Sequence, residues 1–222
     1  GPDAGTLREM RAARLSGPVV FAVSAVVFAA LALDVAMGGP ISAMDRAASD
    51  WFRGLAQPGF PQPGFARAMA WVSALHAPRA ILAATIVVAL VLLWRRDRRG
   101  LSFVLLAVPG GATLNALLKH AFERPRPDAG GMALATGDFS FPSGHVANAT
   151  LLYGGVALLV LWRLDGMVRR CGVVATAAAL VLLVAVSRLV LGAHYPSDVL
   201  AAMAEAVAWL AMCATWLRTP VR

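Results

Sequence analysis

Charged side chains are scarce. Asp, Glu, Lys and Arg make up 14% of the 222 residues against 59% hydrophobic, where a soluble domain carries about 25% charged and about 45–50% apolar residues. That shortage excludes a soluble body. Acidic groups number 12 against 20 basic ones, for a formal charge of +8, and Lys119 is the only lysine. The basic excess does not read as a nucleic-acid groove, because long apolar runs fill most of the chain and leave no polar body to carry one. The 2 cysteines cannot build a disulfide framework. Internal repeats and low-complexity segments are also absent, beyond an alanine richness that suits close helix packing.

The apolar residues fall into six stretches: Val19 to Ala36, Ala68 to Trp94, Leu101 to Leu118, Val146 to Trp162, Val173 to Leu191 and Val199 to Trp216. Each is near the roughly 20 residues that cross a hydrocarbon core. The expected fold is all-α, a six-transmembrane-helix bundle forming a single domain over 1–222, with no room for a second folded unit. Short cytoplasmic loops retain arginine and lysine. Arg8, Arg11 and Arg14 precede the first span; Arg95, Arg96, Arg98 and Arg99 separate the second and third; Arg163, Arg169 and Arg170 separate the fourth and fifth; Arg218 and Arg222 follow the last. An even number of spans puts all of these on one side, so both termini, including the tail 1–16, are expected in the cytoplasm of a plasma (inner) membrane protein. Cys171 and Cys213 then lie towards the reducing side. A cleaved signal peptide is the alternative for the basic start, but losing the first span would upset the arginine asymmetry. Gly1-Pro2 reads as a protease scar and carries no functional weight.

The longest outer connection, Gly38 to Gln62, repeats Met44, Ala48, Trp51, Phe52 and Leu55 at helical spacing, with Asp45, Arg46, Ser49, Asp50 and Arg53 on the other faces. A short amphipathic helix is expected there, either lying in the outer interface with Trp51 and Phe52 at headgroup level or packed on the bundle as a lid. Pro58, Pro61 and Pro63 with Gly59 and Gly64 read as a turn-rich connector.

Polar groups bordering a membrane are costly and mark functional sites. Three clusters occur between Lys119 and Asp198, all at outer span ends. In the first, Lys119 and Arg126, stiffened by Pro125 and Pro127, present a point charge and a planar fork to a phosphate, or else anchor headgroups. In the second, Ser143 is placed to cap a helix, Gly144 permits close approach of an anion to free N–H groups, and His145 is placed to donate a proton; a cap with an interfacial histidine is the plainer alternative. In the third, Ser187-Arg188 precedes His194 and Asp198, four residues apart around Pro196. A carboxylate on one ring nitrogen would fix the tautomer and leave the other as a nucleophile. An acidic helix cap is the alternative, and a metal site is disfavoured by the few histidines and carboxylates nearby.

Together these segments resemble the type 2 phosphatidic acid phosphatase superfamily, whose pattern is K-x6-RP, PSGH and SR-x5-H-x3-D. Every fixed position is filled: Lys119, Arg126 and Pro127; Pro142, Ser143, Gly144 and His145; Ser187, Arg188, His194 and Asp198. The resemblance implies a hydrolase without metal or cofactor. Lys119, Arg126 and Arg188 would bind the phosphoryl oxygens with Ser143 and the Gly144 amide. His194 would form a phosphohistidine with Asp198 holding its tautomer, and His145 would protonate the leaving oxygen and then activate water. The soluble vanadium-dependent haloperoxidases share the motifs, but the six spans count against them.

Helix periodicity adds a polar layer. Asn115 lies four residues before Lys119, Asn148 three after His145 and Glu205 seven after Asp198, so all three are expected beneath the site with Ser187 nearby, Glu205 about 10 Å deeper than Asp198. Ordinary interhelical hydrogen bonding is the alternative. His76, Asp34 and Tyr153 read as structural, capping and packing residues. The expected partners are a lipid phosphate substrate and membrane lipids. Polyprenyl (undecaprenyl-type) diphosphate is the first choice on the extracytoplasmic face, and phosphatidic acid or phosphatidylglycerophosphate the second. A lipid phosphotransferase and a non-catalytic lipid-binding protein are the rival classes, and oligomeric state is open.

Overall fold

The computed structural model describes residues 4–56, 64–127 and 139–218. The connector prolines Pro58, Pro61 and Pro63, the Gly1-Pro2 start and Arg222 lie outside the described residues. The described secondary structure is helical throughout: α1 (Ala4–Met37), α2 (Pro40–Gly54), α3 (Phe65–Leu75), α4 (Pro78–Trp94), α5 (Arg98–Phe122), α6 (Gly144–Leu161), α7 (Met167–Val190) and α8 (Pro196–Arg218). The Gly17–Met37 part of α1 and helices α5 to α8 are each long and apolar enough to cross a membrane, and α3 with α4 makes a sixth crossing as a bent pair. Large apolar side chains such as Val26, Leu33, Val87, Leu90, Val174 and Leu182 face outward, as they must where the solvent is lipid. The chain is a multi-pass membrane protein.

The second span departs from the expected continuous run from Ala68 to Trp94. Helix α3 stops at Leu75, α4 restarts at Pro78, and the two cross at 51°. Pro78 offers no N–H to a preceding turn and disfavours the helical conformation at Ala77, which takes ψ 152, so the helix breaks here, whereas α5 continues through Pro109. The break turns Ser73 and His76 inward, where both are buried.

Helix α6 is central, packing on α5, α7 and α8, while α1 runs along α8. Small residues bring these helices close. A Cβ on Gly111 would stand 2.6 Å from Leu151 and one on Gly110 2.8 Å from the Trp209 ring, whose indole N–H donates to the Ala107 carbonyl at 3.1 Å. One core of Phe103, Val104, Ala107, Leu151 and Leu210 fills the α5–α6–α8 junction. A second, of Val146, Ala149, Val184, Ala185, Val199 and Ala202, lies directly under the candidate site.

Helix α2 combines the two roles expected for it as alternatives, with part of its polar face turned inward. Asp45 and Ser49, expected on outward polar faces, are its buried residues, whereas Ile41, Met44 and Trp51 are exposed. Phe52, expected beside Trp51 at headgroup level, packs partly buried against the second core. Asp45 is inside because Arg124 and Ser197 hold it there, while Arg46 and Asp50 stay exposed beside Met44 and Trp51. Asp34 of α1 fixes the start of α2, accepting from the N–H of Ile41 at 3.2 Å and of Ser42 at 2.8 Å.

Candidate active site

The three motif clusters converge at one end of the bundle, from the end of α5, the start of α6, the end of α7, the α7–α8 turn and the start of α8. Helix α5 ends at Glu123 in a left-handed conformation, φ 45, which turns the Arg124-Pro125-Arg126-Pro127 segment across the bundle. The Lys119 ammonium donates to the Phe139 carbonyl at 2.5 Å, and Arg126 donates to the Ala193 carbonyl at 3.1 Å. Arg188, only 5% exposed, donates to the Ser73 hydroxyl. His145 lies within Coulombic range of Arg188, His194, Arg126 and His76. The cations and both motif histidines therefore surround one space.

That space abuts the N-terminus of α6, whose first N–H groups have no partners within the helix. Ser143 occupies the N-cap position but makes no side-chain capping bond, contrary to the expected cap. Its backbone N–H is held by the Asp198 carbonyl at 3.1 Å, and its buried hydroxyl has no hydrogen-bond partner among the described residues. A Cβ on Gly144 would meet Asn115 Oδ1 at 3.3 Å and Lys119 Cε at 3.5 Å. A buried hydroxyl without a partner, a helix start and a bare glycine make a cradle for an oxyanion.

His194 is 1% exposed. Its Nδ1–H donates to the Ser140 carbonyl at 2.8 Å, while Asp198 Oδ2 stands 3.6 Å away. The carboxylate was expected to fix the tautomer directly, but the backbone carbonyl is the nearer acceptor. Asp198 is engaged elsewhere: Oδ2 accepts from the Tyr195 N–H at 2.9 Å, as an acidic residue reaches back in the first turn of a helix, and Oδ1 accepts from Arg124 at 2.6 Å. With Nδ1 donating, the lone pair is on Nε2. Burial, despite the opposing pull of Asp198, and the nearby Arg188 and Arg126 lower the imidazole pKa to about 4, so His194 is neutral through the physiological range.

Arg124, which lies in the first basic cluster but at no fixed motif position, and Asp45 also reach the site. Arg124 bridges Asp198, Ser197 Oγ at 2.7 Å and Asp45 at 2.8 Å, and lies 4.2 Å over the Tyr195 ring. Asp45, 2% exposed, also accepts from the Ser197 N–H at 3.0 Å and from its hydroxyl. Burial works against the Arg124 charge, but Asp198 and Asp45 outweigh it and raise its pKa above the ordinary value. The doubled Arg-Pro was the available signal for Arg124. Asp45 sits in no motif. His76, expected to be structural or interfacial, is held between the Val72 carbonyl at 2.7 Å and the Tyr153 hydroxyl at 2.6 Å, so Tyr153 is a polar partner as well as packing.

The polar layer beneath the site is partly assembled. Asn115 donates to Glu205 at 3.0 Å, joining α5 to α8, and Glu205 lies within Coulombic range of Lys119. Asn148 does not join them by a hydrogen bond of its Oδ1, which has no partner among the described residues. Ser187 turns back on its own helix, donating to the Val184 carbonyl at 2.6 Å. Among the described residues no three His, Cys, Asp or Glu side chains converge as metal ligands.

The model of the PAP2 superfamily matches residues 100–222. The chain is 32% identical over 141 residues to phosphatidylglycerophosphatase B of Bacillus subtilis (strain 168), covering 63% of this chain and 68% of the relative. Its fold matches the crystal structure of a transmembrane PAP2-type phosphatidylglycerolphosphate phosphatase from Bacillus subtilis with a TM-score of 0.74 at 23% identity, over 93% of this chain and 98% of the other.

Proposed function

The chain belongs to the PAP2 superfamily as a membrane lipid phosphatase, and from that premise we propose that it removes the terminal phosphate of a glycerophospholipid phosphomonoester, phosphatidylglycerophosphate first, through a phosphohistidine on His194. The carrying observation is the neutral, buried imidazole whose Nδ1–H is engaged, leaving Nε2 to attack. The substrate rests on the named relative. Polyprenyl diphosphate, the first choice from the sequence, has no further observation in its favour and becomes the competing substrate.

In this mechanism Lys119, Arg126, Arg188, the Ser143 hydroxyl and the α6 amides hold the phosphoryl oxygens and offset the charge that spreads over them in flight. The Nε2 lone pair forms the N–P bond as the ester P–O bond breaks, and His145, protonated when the anionic phosphate is bound beside it, passes its proton to the departing glycerol oxygen. His145, now neutral, takes a proton from water, which attacks phosphorus and releases inorganic phosphate, restoring both histidines. Asp198, tied to Arg124 and the Tyr195 amide, steadies the charge on phosphorylated His194.

The proposed orientation has this site on the extracytoplasmic face, supported by Arg95 to Arg99 and Arg163 to Arg170 lying at the other end of the spans. A headgroup then reacts at the interface while its chains stay in lipid. Phosphate release from phosphatidylglycerophosphate, phosphatidic acid, polyprenyl diphosphate and a soluble phosphomonoester, compared in vesicles, tests the reading. Fastest turnover of phosphatidylglycerophosphate is expected. Fastest turnover of the diphosphate would replace the substrate, and of the soluble ester would refute the lipid class.

A further inference from the structure

At the end of the bundle away from the motif residues, a cavity of about 1470 Å³ opens between α6, α7 and α8, flanked by Gly17 and Val20 of α1. It exceeds the about 300–1,000 Å³ usual for compact small-molecule sites. Its walls are chiefly apolar and include the small side chains of Ala157, Ala177, Ala178 and Ala214. It is not a continuation of the candidate active site. Its inner limit is at Thr150, Val181 and Met203, and Val146, Ala149, Val184, Ala185 and Ala202, none more than 3% exposed, pack between that limit and the motif residues.

The cavity has the depth of one leaflet. From Thr150 to Leu161, its lining on α6, eleven residues rise about 16 Å, close to half of the roughly 30 Å hydrocarbon core. Its mouth is charged where the other lining is apolar. Arg99, Arg163 and Arg170 stand there with one carboxylate, Asp97. Arg163 pairs with Asp97, which also caps α5 through the Gly100 N–H at 2.9 Å. Arg170 covers the last carbonyls of the α6 end, Leu161 at 2.9 Å and Leu164 at 3.0 Å. A basic rim at headgroup level over an apolar slot one leaflet deep matches the two ends of an anionic lipid.

We propose that this cavity binds an anionic phospholipid of the leaflet opposite the active site, its phosphate at Arg99, Arg163 and Arg170 and its acyl chain along α6 and α7 down to Thr150. The assignment does not depend on which phosphoester the enzyme hydrolyses. In the proposed orientation that leaflet is cytoplasmic. The bound lipid fills the space between α7 and α8.

Trp162 lines the cavity and serves as the reporter. The full chain is reconstituted in vesicles containing the same fraction of either phosphatidylglycerol or phosphatidylcholine brominated along the acyl chain, and tryptophan quenching is read. Stronger quenching by the brominated phosphatidylglycerol is expected, with the difference between the lipids lost in Trp162→Phe. Arg170→Gln alone and with Arg163→Gln should reduce that difference several-fold, and Ala178→Phe, which fills the slot, should lower quenching by both lipids. Retained turnover in each variant shows that the bundle is intact. Equal quenching by the two lipids, or an anionic preference that survives both arginine variants and Ala178→Phe, would overturn the proposal, whatever the substrate panel shows.

Discussion

Residues 100–218 and residues 4–94 reach the same site by different routes. The first stretch carries every motif residue, on α5 to α8 and the segments that join them, and it is the part that the family model matches. The second has no motif, yet it supplies Asp45 to Arg124 and Ser197, Ser73 to Arg188, and Asp34 to the start of α2. Groups that react with phosphate must be a few residue types at fixed spacings. Groups that hold them in place need only reach a partner, so many sequences serve and no pattern forms.

The sharpest break of that comparison is in the motif half. His194→Ala should lower kcat by about 10³-fold or more, since the other groups cannot replace a covalent nucleophile, with phosphate release as the readout. A variant that retains half its turnover would remove His194 from the chemistry. In the N-terminal half, Asp45→Asn keeps the shape but removes the charge that Arg124 answers. Misplacement of reacting groups by about 1 Å can cost about 10²-fold, so kcat should fall by about that order with KM little changed. Arg124→Ala should instead cost about 3–5 kcal/mol of stability, because it strands two buried carboxylates. Unchanged kcat in Asp45→Asn would confine the second half to scaffolding.

A smaller effect is set by pH. The folded His194 pKa lies near 4, below the ordinary 6.5, so the unfolded chain binds this proton first as the medium is acidified. Its contribution is fully present above about pH 6.5 and is lost as pH falls towards about 4. Thermal unfolding in detergent across that window should show a steeper acid loss for the wild type than for His194→Gln. Parallel curves would contradict the buried neutral imidazole. The smallest effect belongs to Glu205→Gln, which preserves an acceptor for Asn115 while replacing the carboxyl group by an amide. A few-fold loss of turnover or a change of about 1 kcal/mol in stability is expected. If neither moves, the Asn115–Glu205 layer does not support the site.

The sequence was legible where chemistry or burial constrains it locally. The apolar runs marked the helices, and order with spacing marked Lys119, His145, Arg188 and His194. Three things were not legible. The break at Ala77-Pro78 sits in a run whose mean hydropathy stays high despite Ser73, His76 and Arg79, and hydropathy does not register backbone geometry. The Ser140 carbonyl that receives the His194 proton is a backbone atom, for which no residue type is a signature. Asp45 and Arg124 are 79 residues apart, and on an outer amphipathic helix a carboxylate is indistinguishable from one facing water until its partner is located.

The central claim is a covalent phosphohistidine on one named residue. Rapid quenching of the detergent-solubilised enzyme with substrate carrying ³²P in the terminal phosphate should label the protein in a bond that acid cleaves and base does not, with the label mapping to the peptide containing His194 and absent from His194→Ala. Full turnover with no labelled protein at any quench time, or a label on another residue that persists in His194→Ala, would contradict it.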